Sequence, residues 1–390
     1  MQQRAVKFTV QEAMREVKSF DVEGDYRAAA RQAIKEVLES RMANRVDEYL
    51  SELDRLDISD RRNGSYDRHL LTACGDVSIS VKRTRQFSGL GVIKAFERRD
   101  SSIDQLIMNC FTLGLATRKV GVALLPVLGE KISRSTVSEV SKQLDAFVDA
   151  YHKRSLNNKY RFLMFDGVVL KNRTGAGSVK KVVLVALGVT HDNKKEVIDF
   201  KLACGESQSS WESFLNDLYR RGITGEGVDL IVVDGGTGLL AALDMVYSGI
   251  PVQRCWAHKT HNVINCVKEK DQKAVKYDLH KISHASGERE AQSMFKEFAL
   301  KWGKIYPKAV LCLRKDIDTL LSFFKIKDLN LWNTIRTTNA IERRFVEVRR
   351  RTRPMGVFSN RTSMERILFA VFRYENIKEG TATPLLMTQN

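Results

Sequence analysis

Two short apolar runs, each closed by an aspartate, are the sharpest features of the hydropathy pattern: Phe162-Leu163-Met164-Phe165 before Asp166, and Leu230-Ile231-Val232-Val233 before Asp234. Each reads as a buried strand whose last residue emerges into a cleft. After Asp166 come a turn-rich stretch, Asn172 to Gly177, and a β-branched run, Val179 to Thr190, which together predict an antiparallel hairpin. A third strand is expected from Glu196 to Ala203. Ser209, with Glu212 at the capping-box spacing, then opens a helix whose stripe is Trp211, Phe214, Leu215, Leu218 and Tyr219 and which stops at Gly222. The strand holding Asp234 follows, then a helix over Thr237 to Tyr247 and a short fifth strand over Val252 to Ala257. Three antiparallel strands, a crossover helix and a fourth strand return the fourth beside the first in parallel, which would set Asp166 and Asp234 side by side.

The pattern differs on either side of this block. From about Phe20 to Leu56 it predicts helices with Ala28, Ala29, Ile34, Val37 and Leu38 on an apolar face, and between Leu70 and Val81 a small hairpin around Gly75. Thr117 to Tyr151 predicts a helix-turn-helix. Its first helix carries Val120, Val122, Leu124 and Leu125 and stops near Leu128-Gly129; its second begins at Ser133 or Ser135 with Val137, Val140, Leu144 and Phe147 inward. Arg134, Ser135 and Thr136 would lie near a DNA groove, although helical hairpins are also common in ordinary cores. Lys259 to Leu331 predicts a helical insertion, and Trp256, Trp302 and Trp332 are core residues or platforms for an unpaired base.

Composition narrows the partners. The 390 residues carry a formal charge of +17, with a pI near 9.6, which implies a polyanion. Nucleic acid is favoured over a membrane because no apolar run approaches spanning length. Met1 to Lys7 lacks an apolar signal core, and six cysteines form no paired framework, so reduced thiols and a cytoplasmic, nucleoid-associated location are expected.

The third acid is Glu342, in Thr337-Thr338-Asn339-Ala340-Ile341-Glu342, at the start of a helix crowded by Arg343, Arg344, Arg349, Arg350, Arg351 and Arg353. Three carboxylates suit a pair of divalent ions about 3.5 to 4 Å apart, one activating the attacking oxygen and one stabilising the leaving oxygen. Two Mg²⁺ ions, with Mn²⁺ as substitute, are the expected cofactors. Structural roles compete: an Asp before Gly is a common turn device, and Glu342 stands three residues after Asn339, the capping-box spacing. Glu347 is a rival third acid on another face. Cys255, His258, His261 and Cys266 have zinc-like spacing, but packing and hydrogen bonding around the active site are favoured for them.

These blocks together resemble the bacterial insertion-sequence transposases related to the eukaryotic Mutator elements. The resemblance is carried by Ser209 with Trp211, Phe214-Leu215 and Arg221-Gly222; by Val233-Asp234-Gly235 with Gly238-Leu239; by Gln253-Arg254-Cys255 with His258 and Asn262; and by Thr337 to Glu342 with Arg349 to Arg353 and Gly356-Val357-Phe358. It extends back to Arg62-Asn63-Gly64 and includes Ile132 to Ser138. It implies a D-D-E transposase in which Asp166, Asp234 and Glu342 are the catalytic, metal-binding triad, Cys255 and His258 are a Cys-x-x-His signature, and Asn339 supports the site. Gly167 and Gly236 depart from the family pattern without removing a carboxylate.

The expected fold is multidomain: a mainly α N-terminal DNA-binding region and an α/β ribonuclease-H-like catalytic domain interrupted by an α-helical insertion. The expected divisions are a helical region (1–60), a hairpin-containing linker domain (61–105), a helix-turn-helix-like domain (106–155), the first part of the catalytic domain (156–258), the insertion (259–331), and the last catalytic part with the Glu342 helix and tail (332–390). The expected function is binding of the element's own terminal inverted repeats, with metal-dependent strand cleavage and transfer into target DNA. At least a homodimer is expected on double-stranded DNA, with Arg134, Ser135, Thr136, Arg343, Arg349, Arg350, Arg351 and Arg353 as DNA contacts. The alternatives are a catalytically silent DNA-binding regulator and a structure-selective nuclease.

Overall fold

The computed structural model describes residues 22–92, 98–113, 115–129, 131–174, 177–353, 358 and 360–383. The expected signal-free N-terminus, the Gly175-Ala176 turn and the Gly356-Val357 motif lie outside the described residues. The chain divides into two compact units, one of residues 1–111, 115–141 and 386–390 and the other of 112–114 and 142–385.

Among the described residues the first unit starts with a single helix, α1 (Val22–Arg55), where several were expected. Its buried stripe also differs. Of the expected face, Ile34 and Leu38 pack, with Met42, on Leu70, Val77, Ile79 and Val81 of the hairpin β1 (Arg62–Thr72) and β2 (Gly75–Thr84), whereas Ala28, Ala29 and Val37 are exposed. The i, i+4 spacing of Ile34, Leu38 and Met42 sets one line of contact along the helix. Helices α2 (Ser101–Thr112), α3 (Thr117–Leu128) and α4 (Arg134–Lys142) follow. Helix α3 ends as its sequence demands, with Gly129 in the left-handed region at φ 71° and its N–H donating to the Leu125 carbonyl. A Cβ on Gly121 would lie 2.1 Å from the Ile132 carbonyl oxygen, so glycine lets α3 and the segment leading into α4 touch. Val122 and Leu125, read as part of the apolar set, are exposed, and Val120 and Leu124 are buried.

The second unit begins with α5 (Leu144–Lys153), so the second helix of the expected pair is broken at Gln143. Helix α5 buries Leu144, as expected, together with Val148 and Tyr151, and Phe147 is only half-buried. Five strands then form one mixed sheet: β3 (Tyr160–Thr174), β4 (Gly177–Thr190), β5 (Lys195–Ala203), β6 (Leu230–Val233) and β7 (Val252–Arg254), in the order β5-β4-β3-β6-β7. β3 is antiparallel to β4 and parallel to β6, as the crossover argument requires.

The crossover helix α6 (Gln208–Arg220) and α7 (Thr237–Val246) cover one face of the sheet. Trp211, Phe214, Leu215, Leu218, Leu239 and Leu243 close there on Leu163, Phe165, Leu184, Ile198, Ile231 and Val233. The cap of α6 is Ser207, whose side chain accepts the Ser210 N–H, two residues before the expected Ser209.

The remaining helices are α8 (Trp256–Ile264), α9 (Glu269–Ser283), α10 (Glu288–Trp302), α11 (Pro307–Arg314), α12 (Ile317–Leu320), α13 (Trp332–Ile335), α14 (Asn339–Thr352) and α15 (Arg361–Lys378). Helix α15 covers the β5 edge, where the Asn376 amide accepts the Val197 N–H and donates to its carbonyl, completing the edge ladder with a side chain. Trp256 and Trp302 are buried, with indole N–H groups on the Leu320 carbonyl and Asp278, and half-buried Trp332 packs on Phe323 and Phe324; all three serve packing. Among the described residues no helix is long and apolar enough to cross a membrane.

Candidate active site

Phe165 of β3 pairs with Val233 of β6, so the next residue on each strand, Asp166 and Asp234, occupies the same level of the sheet. Asp234 does end its strand. Asp166 does not: β3 continues eight residues further, paired with β4, and Asp166 sits mid-strand at 9% exposure. The extension arises because Val168 and Leu170 are buried and continue the alternation past the apolar run.

Burial, and then the Asp234 charge, push the Asp166 carboxyl up to about 7, although the Gly167 N–H and His258 oppose the rise; Glu342 adds to it. The other two acids therefore both act on Asp166. Asp234 is fixed locally, its Oδ1 accepting the Gly236 N–H at 2.9 Å, with Gly235 at φ 95°. This is the expected turn device, and it leaves the second carboxylate oxygen for other partners.

Glu342 is delivered by α14, which Thr338 precedes as cap. The capping box with Asn339 is absent: Asn339 is the exposed first helical residue, and Glu342 instead accepts a 2.9 Å hydrogen bond from the Thr338 hydroxyl. Glu347 is occupied by Arg350 and Arg351, at 2.7 and 2.6 Å, which removes it as a third acid.

Cys255 and His258 bind these parts together. The Cys255 N–H donates to the Val233 carbonyl, and its sulfur accepts the Thr338 N–H at 3.3 Å. Cys255 follows β7 and caps α8, so the fifth strand is three residues long rather than six. Burial would raise the thiol, yet hydrogen bonds with His258 and Thr338 bring it below its ordinary value. The bond to Cys255 raises His258 to about 9 against its partial burial, with Glu342 and Asp166 adding to the rise, and its Nδ1 lies 3.7 Å from Glu342. Cys255 and His258 thus form a hydrogen-bonded pair behind the acids. His261 and Cys266 take no part, both being exposed, so the zinc-like spacing does not become a four-residue cluster. Cys255, His258 and Glu342 bring ligand atoms within 4.8 Å of one another.

One carboxylate escaped the sequence reading. Burial, and then Asp234, raise Glu206, and a Cβ on Gly167 would fall 2.5 Å from its Oε1. Gly167, lacking a side chain, makes room for this fourth acid. A lone Glu in a loop carries no periodic signal, so only the fold reveals it.

The expected DNA-contacting arginines separate into two groups. Arg343, Arg349 and Arg353 are exposed, whereas Arg350 and Arg351 both pair with Glu347, Arg351 also lying over Tyr374; Arg344, outside the expected contacts, is buried between Glu375 and Glu379. Arg134 and Ser135 are exposed at the start of α4, where Ser133 bonds the Ser135 and Thr136 hydroxyls.

Together these features define an α/β protein with a carboxylate cluster at the level where two parallel neighbouring strands deliver their acids. The chain matches, over residues 1–380, the family described as Transposase, Mutator family, and it belongs to that family. It is 31% identical over 321 residues to the transposase for insertion sequence element IS905 of Lactococcus lactis subsp. lactis (strain IL1403), covering 82% of this chain and 81% of that protein. It is 30% identical over 318 residues to the transposase for insertion sequence element IS256 in transposon Tn4001 of Staphylococcus aureus, covering 80% of each. The transposase for insertion sequence element IS1081 of Mycobacterium tuberculosis (strain ATCC 25618 / H37Rv) is 29% identical over 321 residues, covering 80% of this chain and 75% of that protein.

Proposed function

We propose that this protein is a D-D-E DNA transposase with a ribonuclease-H-like catalytic domain, in which Asp166, Asp234 and Glu342 hold two Mg²⁺ ions. The observation that carries the reading is the placement of Asp166 and Asp234 one residue beyond a paired rung of parallel strands, with Glu342 in electrostatic reach. Like charges crowded so closely disfavour one another, and divalent cations with a preference for oxygen ligands offset that cost. The donor set fits magnesium. When bound, the ions supply Lewis-acid stabilisation of the attacking and leaving oxygens.

The protein's own groups orient the parts. The Gly236 N–H holds Asp234, the Thr338 hydroxyl holds Glu342, and Cys255 with His258 holds Thr338. In the first step water attacks a phosphodiester at the element's end and frees a 3′ hydroxyl. In the second that hydroxyl attacks target DNA, one phosphodiester forming as another breaks, with a 3′ hydroxyl leaving. The exposed Arg343, Arg349 and Arg353 hold flanking phosphates, and Arg134, Ser135 and Thr136 contact the terminal repeats. Two ends must meet, so the active form on DNA is a dimer or larger, working in the bacterial cytoplasm on the nucleoid.

The test is strand joining. Purified protein, a labelled duplex carrying the element's own terminal repeat, and a target plasmid are incubated with Mg²⁺. Joined product from the native end, and none from a scrambled end, supports the reading; equal cutting of both ends contradicts it.

A further inference from the structure

Asp234 stands on a tight turn, and what grips that turn reaches it from the helical segment between the second and third acids. Arg254, at the end of β7, donates from one terminal nitrogen to the Gly235 carbonyl at 3.0 Å and the Asp234 carbonyl at 3.4 Å. Its other terminal nitrogen binds Asp316 Oδ1 at 2.7 Å. The guanidinium fills the space where a side chain of residue 235 would be: a Cβ there would fall 1.9 Å from it. Glycine at 235 thus meets two demands, its φ of 95° and the seat of Arg254.

Asp316 caps α12 and is itself held twice, by Arg254 and by Lys259, whose Nζ also donates to the Cys312 carbonyl at 3.2 Å. The three side chains are 12%, 10% and 5% exposed. Burying an ion costs free energy unless paired and hydrogen-bonded, and here two cations, one carboxylate and three backbone carbonyls bond one another, with only the Arg254 Nε of the guanidinium left without a partner. Neighbouring residues fasten the same frame. Gln253 bonds the Leu320 carbonyl and the Phe323 N–H, and Trp256 donates to the Leu320 carbonyl.

We infer that Arg254 is a positioning residue for Asp234, and that Asp316 of the helical segment sets Arg254, so the chain inserted between the acids aims the second of them. The inference rests on the proposed reading of Asp234 as a metal ligand. A planar fork is required, because a lysine at 254 could reach the turn or Asp316 with its single nitrogen but not both in this geometry.

The test uses Arg254→Lys and the near-isosteric Asp316→Asn in the full chain, with two readouts. Hydrogen–deuterium exchange of residues 234–238 should speed up about tenfold in both variants while residues 160–168 of β3 keep their protection. In cleavage assays the half-saturating Mn²⁺ concentration should rise about tenfold, with the rate at saturating Mn²⁺ largely recovered. Unchanged exchange at 234–238 overturns the inference. So does loss of protection throughout the unit in both variants, which would make the network a brace for the fold. If the wild type cuts no DNA with any metal, the transposase reading fails, and the exchange data still decide whether Arg254 and Asp316 hold the turn.

Discussion

Asp166 and Asp234 follow directly on Phe165 and Val233, partners in the parallel pairing of β3 and β6, so the order of strands alone brings two carboxylates to one level. The mutual repulsion of these acids and the burial of Asp166 have a measurable consequence in metal-free protein. With its carboxyl near 7, the native state retains a proton that the unfolded chain releases near its ordinary value of 3.8. Stability therefore falls as pH climbs from about 4 to about 7 and is flat above, as far as this group is concerned. Asp166→Asn should raise the metal-free melting temperature by several degrees at pH 8, an effect of a few kcal/mol at most. The gain should vanish near pH 4. A melt in EDTA across that range checks the sign, and a lower melting temperature for the variant at pH 8 would refute it.

Thr338 is fully buried, and its hydroxyl lies between Glu342 and Cys255. Thr338→Val keeps the shape and removes the hydrogen bond. We expect cleavage to fall about tenfold or more, since outer-shell partners of metal ligands have effects of that size. DNA affinity should stay within about twofold on the same reasoning. A filter-binding and single-turnover pair separates the two effects.

The arginines of α14 should divide by environment. Arg349→Gln should lower the salt dependence of DNA binding by about one phosphate contact and leave the melting temperature in place. Arg344→Gln leaves Glu375 and Glu379 without their shared partner, so it should destabilise the fold by about 3 kcal/mol and leave the salt slope unchanged. Binding titrations from 50 to about 200 mM salt and urea unfolding decide both.

Gly167 and Gly222 should respond unequally to alanine. At Gly167 the new methyl meets the end of the Glu206 side chain, which can swing away, so a cost within about 1 kcal/mol is expected. At Gly222 the φ is 125° and the Leu156 carbonyl oxygen stands 2.0 Å from the added carbon, so the cost should exceed about 2 kcal/mol. Equal midpoints in urea would contradict this account of the two glycines.

Much of the second unit was legible because its strands are written in β-branched runs and its turns in glycine and asparagine. The parallel pairing of β3 with β6 followed from the crossover rule. What local pattern could not give were contacts made across the chain. Ser207, not Ser209, caps α6 because two neighbouring serines offer the same chemistry and only the helix start chooses between them. Ala28, Ala29, Ile34, Val37 and Leu38 looked like one stripe on α1, yet the hairpin meets only Ile34 and Leu38 of these, on a line with Met42. The roles of Arg254, Asp316 and Thr338 rest on partners up to 83 residues away, and no spacing announces them. Glu342 was legible as an acid at a helix start, but its partner there is a hydroxyl rather than the cap N–H.

The measurement that bears most directly on the central claim is single-turnover cleavage of a labelled terminal-repeat duplex by wild type, Asp166→Asn, Asp234→Asn and Glu342→Gln, each titrated with Mg²⁺ and Mn²⁺. All four should bind the duplex comparably, and only the wild type should release a 3′ hydroxyl at the element's end, with each variant reduced by about a thousandfold or more, as loss of an electrostatic catalytic group implies. Metal-independent cleavage, or any of the three variants cutting at the wild-type rate, would contradict the assignment of these carboxylates.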